Sequence, residues 1–554
     1  MATPKKIDET NIGNTLDLKP SPAPFSWAFA GKIVKTVRRK DNKFLLILIL
    51  VLFIFPVFGQ VSNDIPLNDP IYAKIDRLSS RGYFQDDIRS IRPLTVWGVR
   101  HLLDQAHKKI GDDQRALKDL TDIEKYLSRR GLLKEAEKKS FGQLGANGGF
   151  FVTNSKANDI LEVDVQVNPL LEQKEGRFQP GGLEGWIEPR VELRWLDWGS
   201  FDMEQRLPLR YNLDEEDDEF EPELRQVGLK LGHQKLEFQI GRIPVQWGHG
   251  FSGGLIFGGS QTPLDMIQVR NSESVILPSI FKYLGPIQFS FLTSRLDNDR
   301  DFPHGYLIGE RIVIKPLPIL ELGYSQSIIL GGDGSPEVGI LDAIAEVFGR
   351  RLRDVNQFNL SNRNFLTDFR LEIPKLRHMA IYSEFFFEDC CSKGWRDVSN
   401  LSGMTWPDLW LSHAGSMSIE VVRTTEITYR NGTFISGFEQ RHHLLGHPIG
   451  PDALGVYARY GHVLPKEIDM ELQMAYEIRG RNEKNQGSGD IRSVLPTFEK
   501  PEERLRWTAS MTQQIQNNLW LRGTIGYEWT QNYKFVSDNT KHTGLGMVEV
   551  GYQF

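Results

Sequence analysis

The chain has 554 residues, of which 40% are apolar and 25% are charged, and its formal net charge is −6 at pH 7. This length allows two or three ordinary domains, and the composition is not that of a membrane protein built from helices. The mild negative charge argues against a nucleic-acid partner.

An apolar run at residues 44–55 is the first feature along the chain. It follows five cations and precedes Pro56, Val57 and Gly59, which is the layout of a signal peptide. A comfortable helical span needs about 20 residues, so the run is short for an anchor. We expect a signal peptide with an extended N-terminal region over residues 1–59, exported by the Sec route. An uncleaved anchor is the alternative.

Residues 60–145 are predicted to form a small helical domain. Ile71, Ile75 and Leu78 repeat on one helical face, and Thr95 is placed to cap a second helix. A third apolar stripe runs from residue 117 to 127. The glycine-rich stretch 145–149 is the expected domain boundary.

Beyond this boundary the period changes to two, which predicts strands over residues 146–554. Eighteen strands are predicted, at 159–168, 187–197, 200–211, 224–232, 235–243, 277–283, 287–295, 305–315, 319–330, 364–373, 378–388, 416–428, 433–440, 453–461, 467–479, 503–512, 518–530 and 543–554. Alternating connection lengths and an even strand number favour a transmembrane β-barrel over a soluble sandwich.

The connections divide into two classes of length. Tight ones are predicted at residues 233–234, 284–286, 316–318 and 374–377, and at the hairpin sequence Asn431-Gly432. Long ones are predicted at 244–276, 331–363, 389–415 and 480–502. In such barrels the short turns face the periplasm and the long loops face outward, so the helical domain would lie in the periplasm.

Three stretches of sequence resemble the Wzi family of outer-membrane capsule assembly proteins. They are Gly241-Arg242-Ile243-Pro244-Val245-Gln246-Trp247-Gly248-His249-Gly250 with its continuation to Ile267, Ile381-Tyr382-Ser383-Glu384 with Glu388-Asp389, and Arg441-His442-His443 with the sequence from Leu445 to Asp452. The opening from Ile65 to Gly82 is also similar to the start of that family's helical domain. The resemblance implies an 18-stranded barrel with a periplasmic helical bundle, acting as a surface lectin that retains capsular polysaccharide or exopolysaccharide. The long loops 331–363 and 480–502 depart from the family, which leaves the particular sugar open.

Sugar binding uses aromatic faces together with carboxylates, amides and guanidinium groups. The candidate polysaccharide-binding residues, expected to converge near the outer mouth, are Arg242, Trp247, His249, Glu384, Asp389, Arg441, His442 and His447. The alternative for Arg242 and Glu384 is an ion pair within the bore.

Other chemistries have weaker support in the sequence. The histidines 442, 443 and 447 lack acidic or cysteine partners at recognisable spacing, so no metal site is predicted. The acidic run from Asp214 to Glu219 is read as a solvated loop rather than a Ca²⁺ site. Cys390 and Cys391 are adjacent, and a vicinal disulfide and two reduced thiols both stay open.

The leading hypothesis is therefore a monomeric polysaccharide-binding protein of the outer membrane. Its expected partners are capsular polysaccharide or exopolysaccharide and membrane lipids, with the polysaccharide-export machinery as a further candidate. No catalytic residue and no cofactor is predicted, because the chain has no nucleophile elbow, zinc-protease or phosphate-loop motif. A passive porin is the first rival, and an outer-membrane enzyme acting on lipid or glycan is the second.

Overall fold

The computed structural model describes residues 61–553 except 85, 131–139, 155–181, 196–197, 212–221, 234, 336–337, 350–359, 389–397, 410–414, 442, 482–498 and 517. Several predictions from the sequence lie outside these residues. They are the signal peptide, the strand at 159–168, the acidic run 214–219, the two cysteines, Asp389 and His442.

Three helices lie within the described residues that precede the barrel: α1 (Ile71–Ser80), α2 (Val96–Ala106) and α3 (Gln114–Arg129). The predicted cap of α2 is confirmed, because the Thr95 side chain accepts a hydrogen bond from the Gly98 N–H (2.8 Å). Asp113 caps α3 in the same way. The apolar stripes of the three helices form one buried cluster, as their period predicts. None of the helices within the described residues has the length and apolar character to cross a bilayer.

The described residues from 141 onward form a closed antiparallel barrel of eighteen strands. The first nine are β1 (Phe141–Thr153), β2 (Gly182–Trp195), β3 (Gly199–Tyr211), β4 (Glu223–His233), β5 (Leu236–Ile243), β6 (Leu264–Asn271, continued by Val275–Ile276), β7 (Pro286–Arg295), β8 (Tyr306–Leu317) and β9 (Leu320–Leu330). The other nine are β10 (Ser361–Ile373), β11 (Met379–Glu388), β12 (Val398–Trp406), β13 (Gly415–Arg423), β14 (Ala453–Leu464), β15 (Ile468–Arg479), β16 (Glu502–Gln516), β17 (Leu519–Gln531) and β18 (Thr540–Gln553). β1 pairs with both β2 and β18, which closes the cylinder.

Side chains alternate between the two faces of the barrel wall. Leu472 and Met474 of β15 are exposed on the outside, whereas Glu477 and Arg479 are buried toward the bore. The alternation predicted for residues 467–479 is therefore confirmed. An apolar outer face with a polar interior is the arrangement that a barrel needs in lipid.

The predicted strand number is confirmed, but three strand positions are corrected. The barrel starts at Phe141, so the glycine-rich stretch 145–149 lies within β1 rather than at a boundary. The segment predicted as strand 277–283 contains a 3₁₀ helix (Ser279–Leu284), and the strand lies earlier, at β6. The segment predicted as strand 433–440 belongs to a loop, and the barrel strand is β12, within the region predicted as the long loop 389–415.

The two ends of the barrel differ in the length of their connections. One end, here the turn end, has tight links such as those between β4 and β5, β8 and β9, and β14 and β15. The other, the loop end, has long links that include residues 244–263, 331–360 with helix α4 (Ile340–Val347), 424–452 and 480–501. The hairpin predicted at Asn431-Gly432 is wrong as a turn-end link, because these residues lie within the loop 424–452.

Residues 61–130, here the cap, dock on the turn end through ion pairs. Arg77 of α1 contacts Asp469 at the start of β15 (3.0 Å), and Arg89 contacts Glu372 at the end of β10 (3.0 Å). Asp64 contacts Lys230 of β4 (2.8 Å). These pairs are largely shielded from solvent, so they fix the cap against several strands at once.

Candidate functional site

Residues 244–263, here the plug loop, leave the barrel wall at the end of β5 and rejoin it at the start of β6. Arg242 and Asp265 face each other across this gap in the β5–β6 pairing. Their side chains form two hydrogen bonds, from Arg242 Nε (2.7 Å) and from its NH2 group (2.9 Å). The bidentate pair closes the neck of the plug loop.

Glu384 on the bore face of β11 holds the middle of the plug loop. Its carboxylate accepts hydrogen bonds from the backbone N–H groups of His249 (2.6 Å), Gly250 (3.1 Å) and Leu255 (2.9 Å). A buried carboxylate needs such donors to offset its lost hydration. Glu384 therefore clamps the plug loop, and its role as a ligand contact stays a prediction. The alternative Arg242–Glu384 ion pair is wrong, because Arg242 pairs with Asp265.

Glu420 on β13 is a second clamp of the same kind, which the sequence did not reveal. It accepts from the N–H groups of Phe251 (2.6 Å) and Ser252 (2.9 Å) and from the hydroxyl of Tyr382 (2.6 Å). Both clamps bind backbone N–H groups of the plug loop. Their contacts therefore do not depend on the identity of most side chains in this loop.

Trp247 and His249 also serve this loop. Trp247 is fully buried, packs edge-on against Phe257 with ring centroids 4.7 Å apart, and lies in a short strand paired with Ile91–Arg92 of the cap. His249 Nε2 lies 3.0 Å from Asp368 Oδ1 of β10. We expected both residues near the outer mouth, whereas the structure places them inside the bore.

Residues 424–452, here the companion loop, pack against the plug loop from the loop end. The Tyr429 hydroxyl accepts from the His447 N–H (2.9 Å) and donates to the Leu255 carbonyl (2.9 Å). The Gly258 N–H donates to the Leu445 carbonyl (2.9 Å). Apolar side chains of both loops belong to one buried cluster with residues of the barrel wall. Together the two loops occupy the interior of the cylinder.

His447 is wholly buried in the companion loop. Its Nδ1 accepts from the Ile449 N–H (3.1 Å), so the ring proton lies on Nε2, which donates to Ser252 Oγ (3.1 Å). Burial lowers the pKa of His447 to about 3, and Arg479 and Arg506 act in the same direction against the opposing effect of Glu477. A neutral imidazole with both nitrogens engaged is a structural group. No cluster of three or more potential metal-ligating side chains occurs in the part of the chain that the structure describes.

A charged cluster at the loop end remains accessible to a ligand. Arg441 of the companion loop reaches Asp265 (3.4 Å), which brings it beside Arg242. The side chains of Arg441 and Asp265 are 34% and 43% exposed. Nearby, burial raises the pKa of Glu439 to about 7, opposed by Arg300. Of the eight predicted residues, the structure brings together Arg242 and Arg441 at this mouth. It places Trp247 and His249 in the plug loop, and Glu384 and His447 in contact with that loop.

Comparisons with known proteins agree with this architecture. The model of the family described as capsule assembly protein Wzi matches residues 155–545 of the chain. An uncharacterized 55.8 kDa protein in the cps region of Klebsiella pneumoniae is 31% identical over 110 residues, which span 20% of this chain and only 21% of that relative. The fold is similar to that of Wzi from Escherichia coli, described as an outer membrane protein involved in group 1 capsule assembly and as a carbohydrate-binding β-barrel. That likeness has a TM-score of 0.66 at 18% identity and covers 90% of this chain and 99% of the other, and it establishes the fold.

Proposed function

The chain belongs to the Wzi family of capsule assembly proteins, and from that premise we propose that it is an outer-membrane lectin that helps attach capsular polysaccharide or exopolysaccharide to the cell surface. The turn end with its cap then faces the periplasm, and the loop end faces outward, as in other barrels of this kind. The related E. coli barrel is described as carbohydrate binding, which supports a glycan ligand.

The occupied bore is the observation that carries this proposal. Two separate carboxylates, Glu384 and Glu420, hold the plug loop by its backbone inside the cylinder. A porin needs a continuous aqueous path, whereas a surface lectin needs only a rigid outer mouth. The interior therefore favours binding over transport.

The loop-end cluster is the proposed glycan contact. Arg441 and Arg242 present guanidinium groups, which bind carboxylates of acidic sugars through paired hydrogen bonds. Asp265 and Glu439 supply acceptors for hydroxyl groups. Because the plug and companion loops support these residues, the mouth is preorganised.

Gene deletion tests this proposal most directly. We expect the deleted strain to release polysaccharide that the parent retains, at unchanged total synthesis, and the wild-type gene to restore retention. Unchanged partition between cells and medium would contradict the proposal. Planar-bilayer recording separates the porin rival, since large steady conductance of the intact protein would favour transport.

Assembly and partners form a separate part of the proposal. The strands of one chain form the complete closed barrel, so we propose a monomer. The cap is the surface that polysaccharide-export proteins would meet from the periplasm. Crosslinking in cells from cysteines placed on α3 would capture such a partner, and a monomer mass in detergent would support the oligomeric assignment.

A further inference from the structure

A chamber of about 440 Å³ lies between the plug loop and the cap. Its walls are the face of α1 that carries Ala73 and Arg77, plug residues 248–253, and the bore faces of strands from β10 to β15. Small-molecule sites in proteins have volumes of about 300–1,000 Å³. The chamber is therefore large enough for one sugar unit, and it is separate from the loop-end cluster.

The chamber is rich in guanidinium groups. Among the described residues that line it there are seven arginines but three carboxylates. Some of these arginines are already paired: Arg77 with Asp469 (3.0 Å), and Arg92 with Asp76 (2.6 Å). The pairing leaves an excess of positive charge toward the plug.

Arg370 of β10 carries part of that excess. It is 7% exposed, and its Nε has no hydrogen-bond partner within the described residues. Its ion-pair contact with Glu372 is 3.6 Å long, beyond hydrogen-bonding distance, and that carboxylate is already bound by Arg89 (3.0 Å). A buried guanidinium with an unmet donor is costly unless an anion satisfies it.

Arg459 of β14 is a second arginine that adds to this positive charge, and its side chain is half-buried. Its guanidinium lies over the Phe251 ring, 4.6 Å from the centroid, and no ion pair to it occurs across the described ranges. Arg370 lies 5.8 Å from the centroid of the Tyr382 ring. The Tyr382 hydroxyl and the Phe251 N–H both donate to Glu420 Oε1 (2.6 Å each), so the two guanidinium groups lie beside neighbouring aromatic residues of the chamber wall.

The combination of ring faces and guanidinium groups defines the ligand. Aromatic faces pack against the apolar side of a sugar ring, and arginine donates paired hydrogen bonds to a carboxylate. We propose that the chamber between the plug loop and the cap is a second saccharide site, which takes one carboxylated sugar unit on Arg370, Arg459, Phe251 and Tyr382. This inference deepens the proposed function and rests on it.

Calorimetry on the full-length protein in detergent tests the site, with glucuronate, glucose and inorganic phosphate as probes. We expect glucuronate to bind, and glucose and phosphate to bind at least about tenfold more weakly, because each lacks one of the two features recognised. Equal affinity for phosphate and glucuronate would overturn the assignment to a sugar, and equal affinity for glucose would overturn the role of the arginines.

Variants locate the site. Arg459→Gln and Arg370→Gln should each weaken glucuronate binding at least about tenfold, whereas Lys375→Gln, an exposed cation at the turn end, should leave it unchanged. Folding of each variant is checked first by SDS gel electrophoresis, in which an unheated folded barrel migrates differently from the heat-denatured chain. If Arg370→Gln does not fold, Arg459→Gln, whose side chain is only half-buried, decides the matter.

Failure of this inference is distinguishable from failure of the proposed function. If Arg441→Gln abolishes glucuronate binding and Arg459→Gln does not, the chamber is excluded while the lectin role stands. If the wild-type protein binds no glucuronate but the deletion strain still releases its polysaccharide, the chamber is again excluded. Unchanged polysaccharide partition would instead remove the proposed function.

Discussion

Gly248 lies directly against the carboxylate of Glu384, so closely that a Cβ at position 248 would come within 2.4 Å of Glu384 Oε1. The backbone of Gly248 also has a φ of +111°, which side-chain-bearing residues rarely adopt. Both facts allow the following N–H groups to reach the carboxylate. The glycine is therefore a condition for the first clamp of the plug loop.

Gly248→Ala should release the plug loop. The added methyl group meets a buried carboxylate, and the strained φ adds a cost of about 1 kcal/mol or more. We expect planar-bilayer conductance that the wild type lacks. Gly432→Ala is the matched control, because nothing lies within 4 Å of its added Cβ. A Gly248→Ala protein as silent as the control would mean that other contacts suffice to hold the plug.

Acidification should loosen the companion loop through His447. Its folded pKa of about 3 lies below the ordinary value of 6.5, so its contribution to stability is complete above pH 6.5 and is lost as the pH falls toward 3. Protonation of Nδ1 would also break its hydrogen bond with Ile449. The heat-shift temperature, at which the barrel unfolds and its mobility on an SDS gel changes, should be lower at pH 4 than at pH 7. This difference should be smaller in His447→Gln. Equal slopes in both proteins would rule out this residue as the cause.

The two arginines of the loop-end cluster should respond differently to substitution. Arg441→Gln should weaken binding of an acidic polysaccharide without changing the heat-shift temperature, since Arg441 is partly exposed. Arg242→Gln should reduce both, because it breaks the bidentate pair at the neck, at a cost of about 1–2 kcal/mol for a partly exposed site. Binding measured on immobilised polysaccharide checks this, with Lys375→Gln as the charge control. Full binding by Arg441→Gln would exclude it as a glycan contact.

Asp64→Asn should undock the cap while the barrel stays folded. The Asp64 carboxylate lies between Lys230 and Arg270, and without it these two buried cations lose the carboxylate that they share with the cap. Loss of one member of a buried ion network costs about 3–5 kcal/mol. Trypsin should cleave the cap faster, whereas the heat-shift temperature should change little. Asp112→Asn, at an exposed position, is the control, and equal cleavage of both variants would contradict the anchoring role.

Period-two alternation revealed most of the barrel because bore and lipid demand opposite side chains at every second residue. The alternation did not predict strands correctly where contacts with a loop, or exposure outside the barrel, determine which residues are apolar. Residues 277–283 are apolar but include Pro278, which lacks the N–H of a strand, and Ile280 and Tyr283 are 72% and 74% exposed on the outside of the protein. Their apolar character thus does not come from strand formation.

One strand that the sequence did not predict, β12, lies against the plug loop. β12 carries Ser399 and Ser402 rather than a strong alternation, and Leu401 packs against Gly250 of the plug. Residues 433–440 alternate because Phe434 and Phe438 join the apolar cluster inside the bore. Their alternation is real, but they pack against residues that are distant in the chain: Phe438 against Phe257 of the plug loop, and Phe434 against Phe302.

The sequence predicted which residues take part in the candidate site, but not how far inside the bore each of them lies. The stretches that resemble the family contain both the plug-loop backbone and the Glu384 carboxylate that binds it, yet only the fold shows that these two parts meet. Arg370 and Arg459 carry no sequence signal of their own, because a bore-facing arginine in a strand looks the same whether or not it is paired. Their environment depends on strands that are distant in sequence.

An even strand number has a practical consequence for anyone who modifies this protein. β1 starts and β18 finishes on the same rim, the one that carries the cap. A reporter or affinity tag fused after the last strand would therefore share its compartment with the cap, never with the opposite rim. An epitope for display on the other side has to be inserted into a link between strands, and the short connection at residues 532–539, which holds neither the plug nor its companion, is the natural position.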